Sequence, residues 1–287
     1  MNLENYLKKK RGIIEKALNG YLPSVKTLPI SLHQAMRYSV FAGGKRLRPI
    51  LAMASFELVG GKGNAILPVA SALELIHTYS LIHDDLPCMD DDDLRRGKPT
   101  LHKVFGDGMA VLAGDALHAL AFELLSETKN PKLISEIAFE IGTYGMVGGQ
   151  AADLQAEGKK VTISQVNFIH SHKTGSLMKA SVRAGAILGG AGGEKLKVLT
   201  SYGEKFGLAF QIIDDILDAT GKEEKLGKRT RKDQSRAKAT YPKVLGVEKS
   251  KKIATRFLEE AKAELKIFSD DGEILKELAD YMIERMD

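Results

Sequence analysis

Apolar residues return at intervals of three and four along almost the whole chain, and this limits the open folds more than any other feature. Between 131 and 157, Leu133, Ile134, Ile137, Ile141, Tyr144 and Val147 keep that spacing. It puts side chains on one face of a helix. The same period predicts helices over 31–42, 48–60, 64–86, 107–128, 163–190, 195–220, 236–247, 249–268 and 271–285. Alternating strand patterns are almost absent. Breakers fall between the segments: Gly43-Gly44, Gly60-Gly61, Asn130-Pro131, Gly189-Gly190, Gly192-Gly193 and Asp270-Asp271-Gly272. With 287 residues, 44% of them hydrophobic, the chain can bury a large core. The expectation is one all-α domain over 1–287, built from about ten helices.

Bulk charge narrows the function only slightly. The formal net charge is +5, a weak argument for an anionic partner. Cys88 is the lone cysteine, so no intramolecular disulfide forms, which fits a reducing compartment. The start carries Glu4 and no apolar core of a secretory signal. The best candidate for a membrane span, Met109 to Leu125, is interrupted by Asp115 and His118. A cytoplasmic protein without a membrane span is expected.

Two helices end in aspartates. The first runs into "LIHDDLPCMDDDDLRRGKPT", where Asp84, Asp85 and Asp90 to Asp93 crowd together; the second reads "FQIIDDILDATG" and carries Asp214, Asp215 and Asp218. Asp214 and Asp218 are four apart and share a face, together with Gln211. Asp215 points elsewhere, as a supporting or capping group. Asp84 and Asp90 are six apart, which an unbroken helix would separate. Pro87 disfavours helix at Leu86, so a bulged turn can return Asp90 to Asp84. His77 lies on nearly the same face as Asp84. Carboxylates beside apolar residues repel one another unless a cation compensates. Oxygen-only clusters suit Mg²⁺. The histidines lack zinc-ligand spacing, and no EF-hand pattern is present.

Basic residues answer the acidic ones. Arg95 and Arg96 follow the first cluster. "FAGGKRLRPIL" sets Lys45, Arg46 and Arg48 after a Gly-Gly break, with Pro49 in the first turn of a helix. "HSHKTGSLMKA" holds His172, Lys173 and Thr174, and residues 222–240 hold eight more cations, among them Lys228 and Lys238. Helix starts with Lys and Arg bind phosphate. Together with two metal-type acid clusters, they suggest two phosphorylated ligands, one held through Mg²⁺ and one directly. Glycine-rich nucleotide motifs are missing, so the phosphates are not a nucleotide's.

These motifs make the chain resemble the trans-isoprenyl diphosphate synthases, most closely the bacterial farnesyl diphosphate synthases. The likeness runs from "GGKRLRP" (43–49) through the first Asp motif, "LAGDAL" (112–117), "GGQAADL" (148–154), "HKTGSL" (172–177) and "FQIIDDILD" (210–218) to "KATYP" (238–242). It implies an all-α isoprenoid-synthase fold around a deep central cavity, a homodimer and three Mg²⁺ ions per active site. Asp84 and Asp90 are implied as ligands of two ions and Asp214 of the third, with Asp85 and Asp218 supporting. Lys45, Arg48, His77 and Arg96 resemble the isopentenyl diphosphate site. Arg95, Lys173, Thr174, Gln211, Lys228 and Lys238 resemble the allylic diphosphate site. The chain departs from the family at Arg231 and Ala237, where glycine is usual.

The chemistry implied is head-to-tail prenyl transfer. The allylic diphosphate ionises, isopentenyl diphosphate attacks the cation, and the released diphosphate removes a proton. Asp84, Asp90, Lys173, Gln211 and Asp214 are the expected catalytic set. Chain length falls to Tyr79 and Ser80, one turn behind Asp84. A bulky Tyr79 predicts a fifteen-carbon product, with geranylgeranyl diphosphate as the alternative. A terpene cyclase would usually carry an Asn-Ser-Glu type second motif. A non-catalytic size-regulating subunit would lack one Asp motif. A nucleic-acid binder fits poorly with no Trp and 6% aromatics.

Overall fold

The computed structural model describes residues 2–221 and 238–286. Two compact units divide the chain, residues 1–50 with 63–134 and residues 51–62 with 135–287. The first contains α1 (Leu3–Tyr21), α2 (Ile30–Val40), the start of α3 (Leu47–Leu58), α4 (Leu67–Asp84), a hairpin of β1 (Leu94–Arg95) and β2 (Lys98–Pro99), α5 (Leu101–Phe105), α6 (Asp107–Ser126) and the start of α7 (Pro131–Ile141). The second contains the rest of α3 and α7, then α8 (Met146–Ala156), α9 (Ile163–His170), a π-helical turn (Ser171–Gly175), α10 (Ser176–Leu188), α11 (Gly193–Thr220), α12 (Tyr241–Leu245), α13 (Val247–Glu264), a 3₁₀ stretch (Leu265–Gly272) and α14 (Glu273–Glu284).

In the first unit α4 is the central element. Every residue from Val69 to Ile76 is buried, because the helix is apolar nearly all round and is covered on several sides. It packs against α6 and α1. Burying its large apolar side chains there, Val69, Leu73, Leu75 and Ile76, is worth roughly 1.5–3 kcal/mol each, before entropy. The α4–α6 crossing is close at Gly114, where a Cβ would overlap the His83 ring. By length and composition α6 could cross a membrane. Within its unit it buries Ala110, Ala113, Gly114, Leu117, Ala121, Leu124 and Leu125 as one stripe.

In the second unit α11 packs between α10 and α13. Gly207 lets it approach the π turn, since a Cβ there would lie 2.9 Å from the Gly175 Cα. Ser55 of α3 donates to the Val182 carbonyl at 2.7 Å and pins α3 to α10.

The all-α expectation stands, with local differences. The helix predicted over 131–157 is two helices. A Cβ at Gly145 would run into the Glu140 carbonyl, so only glycine fits this turn. Tyr144 is 73% exposed as a result, and it leaves the buried stripe that its spacing suggested. Over 236–247 the described helix is α12 alone, started by the Thr240 hydroxyl and stopped at Gly246 with φ +82°. α1 has no counterpart among the predicted helices. Its buried residues, Tyr6, Lys10, Ile14 and Leu18, are four apart, and Asn2 caps it by accepting from the Asn5 amide at 3.0 Å. The hairpin was also not legible as strands. It is set by Arg96-Gly97, both at positive φ (+53° and +75°), the geometry of a tight two-residue turn.

Candidate active site

The first acidic cluster belongs to the first unit. α4 ends at Asp84, and the chain folds back as Pro87 predicts. The Asp90 amide donates to the Asp84 carbonyl at 2.7 Å, that of Asp91 to Leu86 at 3.0 Å, and that of Asp92 to Asp85 at 3.2 Å. Asp90 thus returns to Asp84 by main-chain bonds, with Asp91 in the left-handed region at φ +43°.

Asp85 and Arg95 were expected at two different tasks, and the structure joins them. Arg95 donates to Asp85 from Nε at 3.0 Å and again from Nη2, which also reaches Asp92 at 3.3 Å. Asp85 is buried and the Arg95 side chain is 21% exposed, so this is a partly buried, charge-assisted pair. Asp85 anchors Arg95 within the acidic turn.

The loop before α3 builds a positive site in the same unit. Arg96 donates from Nη1 to the Gly43 carbonyl. A Cβ on Gly44 would come within 2.7 Å of the Arg96 guanidinium carbon, which explains the second glycine. Arg46 was grouped with Lys45 and Arg48 as a phosphate ligand, and here the structure corrects the reading. Its side chain is buried, donating from Nε to Glu15 at 2.8 Å, from Nη1 to Glu74 at 2.6 Å and from Nη2 to the Val40 carbonyl at 2.6 Å. It sits at φ +54°. A left-handed arginine costs about 1–2 kcal/mol, which three bonds to largely buried partners offset. Arg46 is therefore a strut between α1 and α4.

Burial, then the charges of Arg48, Arg96, Arg95 and Arg46, holds the His77 pKa well below the ordinary imidazole value. Burial also lowers that of Arg96, and Arg46 and Arg95 push the same way against Glu74. Both groups lie in a field that a bound anion would relieve.

Behind Asp84, Tyr79 is 8% exposed and stacks on the His118 ring of α6 at 4.7 Å between centroids. Phe122 meets His118 edge-on at 5.2 Å between centroids. Burial raises the Tyr79 phenol to a pKa of about 12, with the Asp84 charge adding to it. The spacing alone did not reveal His118 as its partner. Ser80 turns its hydroxyl back to the His77 carbonyl at 2.9 Å.

The second acidic cluster belongs to the second unit. Asp214 is paired with Arg285 of the chain's last turn at 3.4 Å, a partner absent from the motif. Asp218 is 2% exposed. Asp215 points away, as expected. It accepts from Gln211 at 2.9 Å, meets His170 Nε2 at 2.6 Å and accepts from the Tyr241 amide at 3.1 Å. Gln211 in turn accepts from the Thr174 hydroxyl at 2.8 Å. Gln211 was expected beside Asp214; its amide instead links Thr174 to Asp215. Lys173 and Lys238 both reach Asp153, at 2.6 and 3.6 Å. Asp153 lies within "GGQAADL", a motif that by itself assigns it no role. Lys228, with Arg231 and Ala237, lies outside the described residues.

These acids fit magnesium. Among the described residues, no three His, Cys, Asp or Glu side chains already stand together as a ligand group. Mg²⁺ does not need one, since it keeps several waters and takes one or two carboxylates plus substrate phosphate. The acids offer charge neutralisation, and in the first unit the charges of Arg48 and Arg96 act on the buried His77.

Residues 30–282 match the polyprenyl synthetase family. A geranylgeranyl diphosphate synthase of Cyanophora paradoxa is 49% identical over 99% of this chain and 97% of its own length. A farnesyl diphosphate synthase of Geobacillus stearothermophilus is 45% identical over 99% and 98%. The crystal structure of an FPP/GFPP synthase from Zymomonas mobilis superposes with a TM-score of 0.87 at 42% identity, covering 98% of this chain and 99% of that one. The long match and the two acidic motifs together show that the chain belongs to the polyprenyl synthetase family, as a trans-isoprenyl diphosphate synthase.

Proposed function

We propose that this synthase condenses isopentenyl diphosphate with dimethylallyl or geranyl diphosphate and stops at farnesyl diphosphate. The observation that carries the fifteen-carbon limit is the Tyr79–His118 stack, one turn behind Asp84. Asp84, Asp90 and Asp214 are the residues to hold Mg²⁺, with three ions expected. Bound Mg²⁺ supplies neutralisation of the diphosphate leaving group, worth several kcal/mol. Lys45, Arg48, His77 and Arg96 bind isopentenyl diphosphate. The Gly43-Gly44 backbone fixes Arg96, and the neutral His77 ring can donate to a phosphate oxygen without adding a crowded charge. Lys173, Thr174, Gln211 and Lys238 bind and orient the allylic diphosphate. Arg95 is proposed for the same substrate and is held in its own unit by Asp85, while in the second unit Asp215 holds Gln211 in place. The allylic C–O bond breaks, and the isopentenyl double bond forms the new C–C bond to the allylic cation. The carbocation left on the isopentenyl unit loses a proton to the released diphosphate, restoring a double bond.

Replacing Tyr79 with alanine tests the limit. Removing a ring of this size opens the wall, and products longer than fifteen carbons are expected to dominate when chain lengths are separated. A Tyr79→Ala enzyme that still stops at farnesyl diphosphate contradicts the assignment of the limit to Tyr79. A twenty-carbon product is the second reading, favoured by relatives named for geranylgeranyl diphosphate at 46–49% identity.

We also propose a homodimer. α6 leaves Val111 and Leu112 exposed, at 41% and 55%. In the second unit Phe139 and Tyr144 stack at 5.5 Å on the surface, and Val147 is exposed beside them in sequence. Such apolar surface suits cover by a second copy.

A further inference from the structure

Asp153 lies on α8 and is 6% exposed. One of its oxygens, Oδ2, takes the Lys173 ammonium at 2.6 Å and the Lys238 ammonium at 3.6 Å. The two lysines come from separate elements, the π turn and the segment leading into α12. Two cations this close would repel and splay apart without an anion between them. One carboxylate gathers them at a single oxygen. The lysine side chains are 22% and 13% exposed, so the cluster is only partly screened by solvent.

A second observation concerns the same face of α8. Gln150 sits one turn before Asp153 on the same side of the helix. Both its amide oxygen and its amide nitrogen are enclosed, and neither has a hydrogen-bond partner among the described residues. An enclosed amide with both ends unbonded is costly. Just before Gln150, Gly149 lets α8 touch the π turn: a Cβ there would overlap the Lys173 amide nitrogen.

We propose that Asp153 is the positioning residue of the allylic diphosphate site, holding Lys173 and Lys238 together so that the diphosphate meets two ammonium groups already gathered. It rests on the proposed binding roles of those lysines. Asp153 does not itself touch the substrate, because an anion facing a diphosphate would repel it. Its function is to set where the positive charge stands.

The test compares the wild type with Asp153→Asn, which keeps size and removes charge. Steady-state kinetics give KM for each substrate, and calorimetric titration with inorganic pyrophosphate and Mg²⁺ reads the anion site directly. We expect KM for the allylic substrate and Kd for pyrophosphate to rise about tenfold or more, with KM for isopentenyl diphosphate within twofold. An equal rise in both KM values, or no change in the allylic KM and pyrophosphate Kd, overturns the proposal. A purely structural role would not split the two substrates. If Asp153→Asn does not fold, Asp153→Glu keeps the charge one methylene further out; an unchanged allylic KM and pyrophosphate Kd there overturn it too. If the wild type forms no prenyl product, the functional reading fails on its own, and the pyrophosphate titration still judges Asp153.

Discussion

His77 shows how a single side chain reports the field around it. Its folded pKa is depressed, first by burial and then by Arg48, Arg96, Arg95 and Arg46. Below the ordinary imidazole value of about 6.5, the unfolded chain therefore binds a proton that the folded chain refuses. Stability from this group is present above that pH and is lost as pH falls below it. The slope from one histidine reaches at most about 1.4 kcal/mol per pH unit. Denaturant unfolding between pH 7 and 5 should show His77→Gln losing less stability than the wild type across that window. Parallel curves for the two proteins would contradict the depressed pKa. Arg46 makes the opposite point about legibility. Nothing in "GGKRLRP" separates Arg46 from Lys45 and Arg48; only the left-handed backbone at Arg46 and the buried Glu74 turn it inward.

At the scale of elements, α8 against the π turn is the contact on which the second site depends. Alanine at position 149 would gain about 0.5–1 kcal/mol of helix propensity over glycine. It would also drive a Cβ into the Lys173 backbone, and overpacking of this kind typically costs about 1–3 kcal/mol. The clash wins, because a main-chain nitrogen cannot rotate aside. Gly149→Ala should therefore unfold at lower denaturant and raise the allylic KM; a more stable variant with unchanged kinetics would show that the contact is slack. Helices were legible where apolar residues repeat without interruption, as in α4 and α11. They were misread where one glycine breaks an otherwise regular run, as at Gly145. The stretch around the hairpin is dominated by charged residues, so no alternation marks its strands, and the Arg96-Gly97 turn is the local cue. The acidic clusters were legible because a carboxylate ending an apolar helix needs a reason. Asp153, Arg285 and His118 were not, since each acts through a partner far away in sequence.

At the scale of the whole molecule, assembly and activity are the quantities to measure. If a second copy covers the exposed apolar residues of α6, α7 and α8, a double change, Leu112→Glu with Phe139→Glu, should turn a dimer into a monomer by light scattering. A wild type already monomeric at micromolar concentration would contradict the homodimer. The central claim is the reaction itself. Purified protein is incubated with Mg²⁺, labelled isopentenyl diphosphate and dimethylallyl diphosphate, and the dephosphorylated alcohols are separated by length. Farnesol as the main product is the predicted result; geranylgeraniol would keep the chemistry and reject the Tyr79–His118 limit, and no elongated product with both substrates and metal present would contradict the account.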